Sequence, residues 1–293
     1  MSCRLNKLFV NSRKIKINNN SKLVIMSDCH RGAGDNYDNF LKNKDIFSSA
    51  LNYYYNNDFT YIELGDGDDM WEVKNYKDII NEHISTFKIL KKYNDSNRLL
   101  MIYGNHDIEK RSNKVLKDTF YNYYNKETKK EEKLLNNLVV SESLILDYKN
   151  NDIFLIHGHQ VDLLNSLFWR ISRFLVRHVW RIFEHFFIKD PTSAAKNYKG
   201  TRRIDKILRK WSIENNKILI AGHTHKPIFP KIGQSLYFND GSCIHPNGIT
   251  CLEIENGNIT LVKWYYELDG EKLISIDRKV IEESTPIKAF FLK

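Results

Sequence analysis

The sequence predicts an α/β protein, a layered sandwich of two mixed β-sheets flanked by helices. Three observations predict it. Short apolar runs bounded by polar or turn residues stand at 22–27 (KLVIMS), 60–64 (TYIEL), 99–103 (LLMIY) and 217–221 (KILIA), as buried strands do. Segments of helical spacing separate the first three. After 217 the chain is a run of strand-like segments, and strand, helix, strand, helix, then strands is the pattern of layered α/β folds with mixed sheets.

The elements follow in order. Strand 22–27 ends in Asp28-Cys29-His30. A helix is predicted over 38–56, where Phe40, Leu41, Phe47, Leu51 and Tyr54 fall near helical spacing. Strand 60–64 ends in Gly65-Asp66-Gly67-Asp68-Asp69, and a helix over about 78–93 follows. Strand 99–103 turns through Gly104 into Asn105-His106-Asp107, with Asp107 expected to brace the turn. The polar, Lys/Tyr-rich stretch 112–137 is predicted to be helical and exposed. Segments 143–148 and 152–156 form a hairpin around Lys149-Asn150-Asn151, and its second arm ends in His157-Gly158-His159. Strand 217–221 ends in Gly222-His223-Thr224-His225. Segments 235–238, 248–254 and 258–265 read as antiparallel strands. The tail 278–293, ending in AFFLK, is expected to pack on the body or on a second subunit.

With 293 residues and 42% hydrophobic content the chain can bury a large core, and length alone would suggest about two domains. The polar strand ends run from Asp28 to His225 and must converge, so one domain over 1–293 is expected. The net charge of +9 points to an anionic partner such as phosphate, nucleic acid or a membrane surface. Cys3, Cys29, Cys243 and Cys251 match no zinc or redox spacing, which suits a reduced, cytoplasmic protein. The first residues lack an apolar signal core, and no apolar run is long enough for a spanning helix.

Five strand ends carry potential metal ligands: Asp28 and His30; Asp66; Asn105; His157; His223 and His225. Any one of these fragments could be an ordinary strand–turn; five of the same form are a pattern. Mixed N/O donors suit manganese, iron or zinc better than magnesium or calcium, with manganese the first choice. In D-x-H and H-x-H on extended backbone, both side chains point to one face. Seven ligands exceed one four-coordinate ion and suit two divalent ions about 3.5–4 Å apart sharing a carboxylate. Asp28 and Asp66 cancel two of the four positive charges, and the remaining two match a phosphate group. Such a pair would also acidify a bridging water and supply a hydroxide nucleophile at neutral pH. Cys29, between two ligands, reads as core, and His83, His178, His185 and His245 as core or surface residues. His159 sits one step beyond the His-Gly pair.

In order, these fragments resemble the signature of calcineurin-like metallophosphoesterases: D-x-H, G-D-x-x-D, G-N-H-D/E, a lone His, and G-H-x-H. The resemblance covers about 22–241. It implies that Asp28, His30 and His225 bind one metal, that Asn105, His157 and His223 bind the other, and that Asp66 bridges them. It implies that His106 is no ligand but faces the phosphate and protonates the leaving oxygen or stabilises its charge. Asp69 would orient His106 and favour its protonated form; Asp68 competes for that role, and spacing favours Asp69.

Between His157 and His223 lies an insert, about 160–215, without strand signal. Over 166–211 there are twelve Lys/Arg against three Asp/Glu, and three of the five tryptophans. Arg170, Arg173, Arg177 and Arg181 fall on one narrow helical stripe, since steps of 3, 4 and 4 at ~100° nearly close on themselves. Asp190-Pro191 reads as the cap and first residue of a second helix running to Lys210. This is a helical-hairpin cap, either with a solvated Arg face or with Arg and aromatic residues gripping an anionic, partly apolar substrate or an anionic membrane surface. A cap here resembles the UDP-2,3-diacylglucosamine pyrophosphatases, as does Gly222-His223-Thr224-His225-Lys226-Pro227 beside their G-H-T-H-R-P. Those enzymes carry Arg where this chain has His106, which leaves the substrate open.

The expected activity is hydrolysis of a lipid- or nucleotide-linked phosphate or pyrophosphate. The rivals are a phosphoprotein phosphatase, although the Arg-Gly that follows G-D-x-x-D in the eukaryotic-type enzymes is absent, and a nuclease, although nothing reads bases. A catalytically silent membrane- or partner-binding module would show eroded ligands, and every ligand position is filled.

Overall fold

In the computed structural model, which describes residues 2–36, 38–162, 198–246, 248–269 and 272–291, the apolar runs are strands buried on both faces. Helix α1 (Ser2–Asn11) leads into β1 (Arg13–Ile17) and β2 (Leu23–Met26). Then come α2 (Lys44–Asn56), β3 (Thr60–Leu64), α3 (Tyr76–Glu82), α4 (Ile84–Asp95) and β4 (Leu99–Ile102). A small hairpin, β5 (Asn122–Asn125) and β6 (Lys130–Lys133), precedes β7 (Val140–Ser141), β8 (Ser143–Tyr148) and β9 (Asn151–Ile156). Helix α5 (Tyr198–Asn215) returns the chain to β10 (Ile218–Ala221), β11 (Tyr237–Asn239), β12 (Ile249–Glu255), β13 (Asn258–Asp269) and β14 (Lys272–Pro286).

These strands make a seven-stranded sheet, β14-β13-β12-β2-β3-β4-β7, and a five-stranded sheet, β1-β8-β9-β10-β11. Both are mixed: β2, β3, β4 and β7 run parallel while β12–β14 are antiparallel, and β8–β9 is the antiparallel pair of the smaller sheet. Side-chain alternation assigns the layers. Ile25, Ile62 and Leu64 meet Leu144, Leu146, Leu155 and Ile220 between the sheets. Val24 and Met26, on the other face of β2, pack with Phe47, Leu51 and Tyr54 of α2 and with Phe87 and Leu90 of α4. On the outer face of the smaller sheet, Phe154 and Leu219 meet Leu5 of α1 and Leu208 and Trp211 of α5. The order is helix, sheet, sheet, helix. Strands covered on both sides are apolar nearly throughout, and that is why they were legible.

Several expectations are corrected. The helix over 78–93 is two helices, because His83 leaves helical geometry (φ −104°, ψ 28°) and places its buried ring 2.7 Å from Asp38 Oδ2. The helix over 38–56 starts as α2 at Lys44, after a 3₁₀ turn at Leu41–Asn43. Stretch 112–137 is helical only through Phe120. It then forms the β5–β6 hairpin, whose turn Asn125 fixes by accepting from the N–H groups of Glu127 and Thr128. The strand predicted at 235–238 is β11, parallel to β10, because the loop after Gly222 carries the chain back along β10 before it pairs. The tail packs on the body: β14 pairs with β13, and Ile287 and Phe290 enter the core between the sheets. Residues Arg170, Arg173, Arg177 and Arg181, and the helix start at Asp190-Pro191, lie outside the described residues.

Candidate metal centre

The ends of β2, β3, β4, β9 and β10 that carry the predicted ligands come together at one edge of the sandwich. Asp28 and His30 follow β2, and their N–H groups donate to Gly65 O (3.0 Å) and Asp66 O (2.9 Å) in the loop after β3. The two motifs are thereby laced side by side. A Cβ on Gly104 would collide with Asp66 Oδ1, and one on Gly222 with Ser27 Oγ and Asp28 Oδ2, so the turns after β4 and β10 need glycine to approach this closely. The D-x-H and H-x-H pairs are not extended as expected. Asp28, His30, Asp66, His223 and His225 all lie in the left-handed region, with φ of 52°, 49°, 50°, 66° and 55°. Such backbone costs an L residue roughly 1–2 kcal/mol each, and strain of this kind gathers where function requires it. Cys29 points away into the core beneath the helices.

Two of the clusters of potential ligands among the described residues are made wholly of predicted ligands, and a third joins His30 to Asp69 and His106. Asp28, His30 and His225 bring one donor atom each within 4.8 Å of one another, and Asp66, His157 and His223 do the same. Asp28 Oδ1 lies 3.0 Å from His225 Nε2, 3.8 Å from His30 Nε2 and 3.9 Å from His157 Nε2. Asp66 Oδ2 lies 3.1 Å from His157 Nε2 and 3.9 Å from His30 Nε2, which puts Asp66 between the groups. His157 donates its Nδ1–H to Leu64 O (2.9 Å), turning the Nε2 lone pair inward. Asp28 Oδ1, His30 Nε2, Asn105 Oδ1 and His157 Nε2 are buried and make no hydrogen bond. Buried donors that crowd one another unbonded are costly unless a cation shares them. The residues therefore fit divalent metal. Burial would raise the Asp28 and Asp66 carboxyls, but His225 and His157 hold Asp28 well below its ordinary range, and His157 and His106 do the same for Asp66.

His106 lies beside this cluster, half-buried. Its Nδ1 is 3.1 Å from Asp69 Oδ1, its backbone N–H donates to Asp66 Oδ1 (2.8 Å), and its ring stacks on Trp71 at 4.4 Å and 21°. Asp69 Oδ2 also lies 3.6 Å from His30 Nδ1, so one carboxylate faces both rings. Asp68 does not compete for His106. It is turned into a buried cluster: its Oδ1 accepts from Arg31 Nε (2.6 Å), and its Oδ2 lies 2.7 Å from Lys110 Nζ. Arg31 also grips Glu63 with two bonds (2.8 and 2.9 Å), and Lys110 bonds Asp107 Oδ2 (2.7 Å). Asp107 braces its turn by accepting from the N–H groups of Gly104, Asp66 and Gly67.

Arg31, Glu63 and Lys110 were missed by sequence reasoning. The signal was present: Glu63 is the one charge in an otherwise apolar strand, and it required a buried partner. Removing one member of such a cluster leaves an uncompensated buried charge, at a cost of about 3–5 kcal/mol. His159 is buried with its ring 5.6 Å from that of His157, and burial with the neighbouring His157 and His223 holds it neutral.

The family model of the calcineurin-like phosphoesterase superfamily domain matches residues 22–257. Among curated proteins none matches. Among solved structures, a predicted phosphoesterase from Streptococcus pneumoniae is 14% identical, with 89% of this chain and 97% of that one covered and a TM-score of 0.36. The calcineurin-like phosphoesterase YfkN from Bacillus subtilis is 10% identical (92% and 94% covered, TM-score 0.32). The cold-active protein-tyrosine phosphatase of a Shewanella psychrophile is 14% identical (92% and 83%, TM-score 0.40). These structures are remote, and the assignment rests on the family model.

Proposed function

This chain belongs to the calcineurin-like phosphoesterase superfamily, and from that premise we propose that it hydrolyses a lipid- or nucleotide-linked phosphate or pyrophosphate at a dinuclear site. It is a metal-dependent hydrolase of phosphoric esters. The observation that carries the dinuclear reading is the set of buried, unbonded donors shared between Asp28, His30, Asn105 and His157. Asp28, His30 and His225 would hold one ion, Asn105, His157 and His223 the other, and Asp66 would reach both. Two divalent ions, manganese first and iron or zinc as alternatives, supply Lewis acidity toward the phosphoryl oxygens and lower the pKa of water.

The protein's own side chains do the rest. Asp69 and Trp71 fix the His106 ring, leaving its second nitrogen to hand a proton to the departing oxygen. Asp28 and Asp66, held ionised, set a charge balance that favours a phosphate dianion. The basic insert supports an anionic substrate with an apolar part: Arg170, Arg173, Arg177 and Arg181 are assigned to it, and Arg202, Arg203, Lys206, Arg209 and Lys210 are exposed on α5. The same basic surface is where we place peripheral contact with the inner, cytoplasmic face of a membrane. Among the described residues no helix is long and apolar enough to cross one.

The test is a hydrolysis panel on manganese-reconstituted protein: an aryl phosphate, an aryl phosphodiester, UDP-sugars with and without acyl chains, and a phosphopeptide. Leu208 and Trp211 are buried against the smaller sheet, so a truncation must keep α5 and replace only 166–196 with a short loop. Loss confined to acylated substrates is expected. Equal cleavage of small substrates by both forms, with no preference for acyl chains, would remove the lipid-linked reading, and a preference for the phosphopeptide would replace it with a protein phosphatase.

A further inference from the structure

His223 and His225 stand in a turn that the backbone resists. Both have left-handed φ, and Thr224 lies between them. Contacts from several elements hold this turn from outside. His223 N donates to Asp28 Oδ2 (2.9 Å), Asn239 Nδ2 donates to Gly222 O (2.7 Å), His245 Nε2 donates to His225 O (2.6 Å), and Thr224 Oγ1 donates to Asp205 Oδ1 (3.1 Å). The last contact reaches furthest. Asp205 is on α5, the helix by which the insert rejoins the body. Its Oδ1 also accepts from Tyr237 OH (2.8 Å), while Asn239 Nδ2 lies 3.1 Å from Thr224 Oγ1 and 3.2 Å from Tyr237 OH. Tyr237 and Asn239 are fully buried and Thr224 nearly so. Asp205 itself is half-buried, so it joins this buried cluster to the surface of α5.

We propose that Asp205 is a positioning residue for the metal ligands: through Thr224 it holds the His223–His225 turn, and through α5 it ties that turn to the insert. The inference rests on the metal-centre reading given above. Outer partners that orient ligands are worth about ten- to a hundredfold in metal affinity when removed. Asp205 differs from the other contacts in coming from α5, the helix by which the insert rejoins the body, so it links the insert to the ligands mechanically.

The experiment titrates chelator-treated, full-length protein with Mn²⁺ by calorimetry and follows kcat and KM on an aryl phosphodiester in parallel. Asp205→Ala is expected to weaken Mn²⁺ binding about ten- to a hundredfold and to lower kcat with little change in KM. Asp205→Asn keeps an Oδ1 that accepts both hydroxyls and is expected to stay within about threefold of wild type. Thr224→Val removes the same bond, together with the one from Asn239 Nδ2, without touching the helix, and it decides the matter if the alanine variant does not fold. Ile213→Ala, on the exposed side of α5, should bind Mn²⁺ as wild type does. Unchanged Mn²⁺ affinity in Asp205→Ala and Thr224→Val, with only a lower melting temperature, would overturn the inference while leaving the metal centre standing. Failure of the wild type to bind Mn²⁺ would overturn the metal-centre reading, and the inference with it.

Discussion

Replacing Asp66 with asparagine is expected to lower kcat on an aryl phosphodiester on the order of 10³-fold. It should also weaken the binding of the second Mn²⁺ by at least about a hundredfold. Asp66 lies between the two groups, 3.1 Å from His157 Nε2 and 3.9 Å from His30 Nε2. An asparagine there removes one of the two negative charges that balance two divalent ions. It can also turn an N–H₂ toward imidazole nitrogens that already lack room. The remaining ligands on each side would still gather one ion weakly. Kinetics and a metal titration on the same preparation check this. Activity within tenfold of wild type, with two ions still bound, would mean that Asp66 bridges nothing.

His106→Ala carries the second large effect, a fall in kcat of about 10²–10⁴-fold, and it should differ from the first in kind. His106 is held by Asp69 at 3.1 Å and by the stacked Trp71, and in the proposed reading it binds no metal. Mn²⁺ affinity should therefore stay close to that of the wild type. A residue that protonates the leaving oxygen matters most when that oxygen is basic. The loss should be large for an alkyl phosphoester and small for an activated aryl ester, and the measurement is a leaving-group series on wild type and variant. A uniform loss across the series would assign His106 to charge stabilisation instead of proton transfer, and no loss would remove it from the chemistry. Asp69→Asn should show a weaker version of the same pattern together with some loss of metal affinity, because Asp69 also faces His30 Nδ1.

What was legible in the sequence follows from physical constraint. Strands β2, β3, β4, β9 and β10 are covered on both faces, so their apolar runs had no alternative reading, and the polar residues at their ends stood out by contrast. Strand β14 is the opposite case. It lies at a sheet edge, and its sequence, KLISIDRKVIEESTP, mixes charge with β-branched residues without a clean alternation. The β5–β6 hairpin hides in the same way, because its Tyr and Glu residues pair with each other across the strands and only Tyr123 of them packs against the core.

Within the site, residue types were legible and backbone geometry was not. Nothing in D-x-H announces two left-handed residues. Extended backbone was the natural assumption for pairs two residues apart, and convergence comes instead from turns laced together by main-chain bonds. The buried Arg31–Glu63–Asp68–Lys110–Asp107 cluster was hidden for a different reason. Charged residues read as solvated by default, and Glu63 lies 32 positions from the Arg31 that holds it. Likewise the tie from Asp205 to Thr224 spans 19 positions and joins a helix to a turn that looked complete by itself.

If this phosphoester hydrolase works only with two ions, titrating chelator-treated protein with Mn²⁺ while following hydrolysis of an aryl phosphodiester in the same cuvette should show negligible turnover without metal and a rise that follows occupancy of the second site, saturating at two equivalents. Full activity in the absence of any added divalent ion, or saturation at one equivalent, would contradict the two-ion requirement.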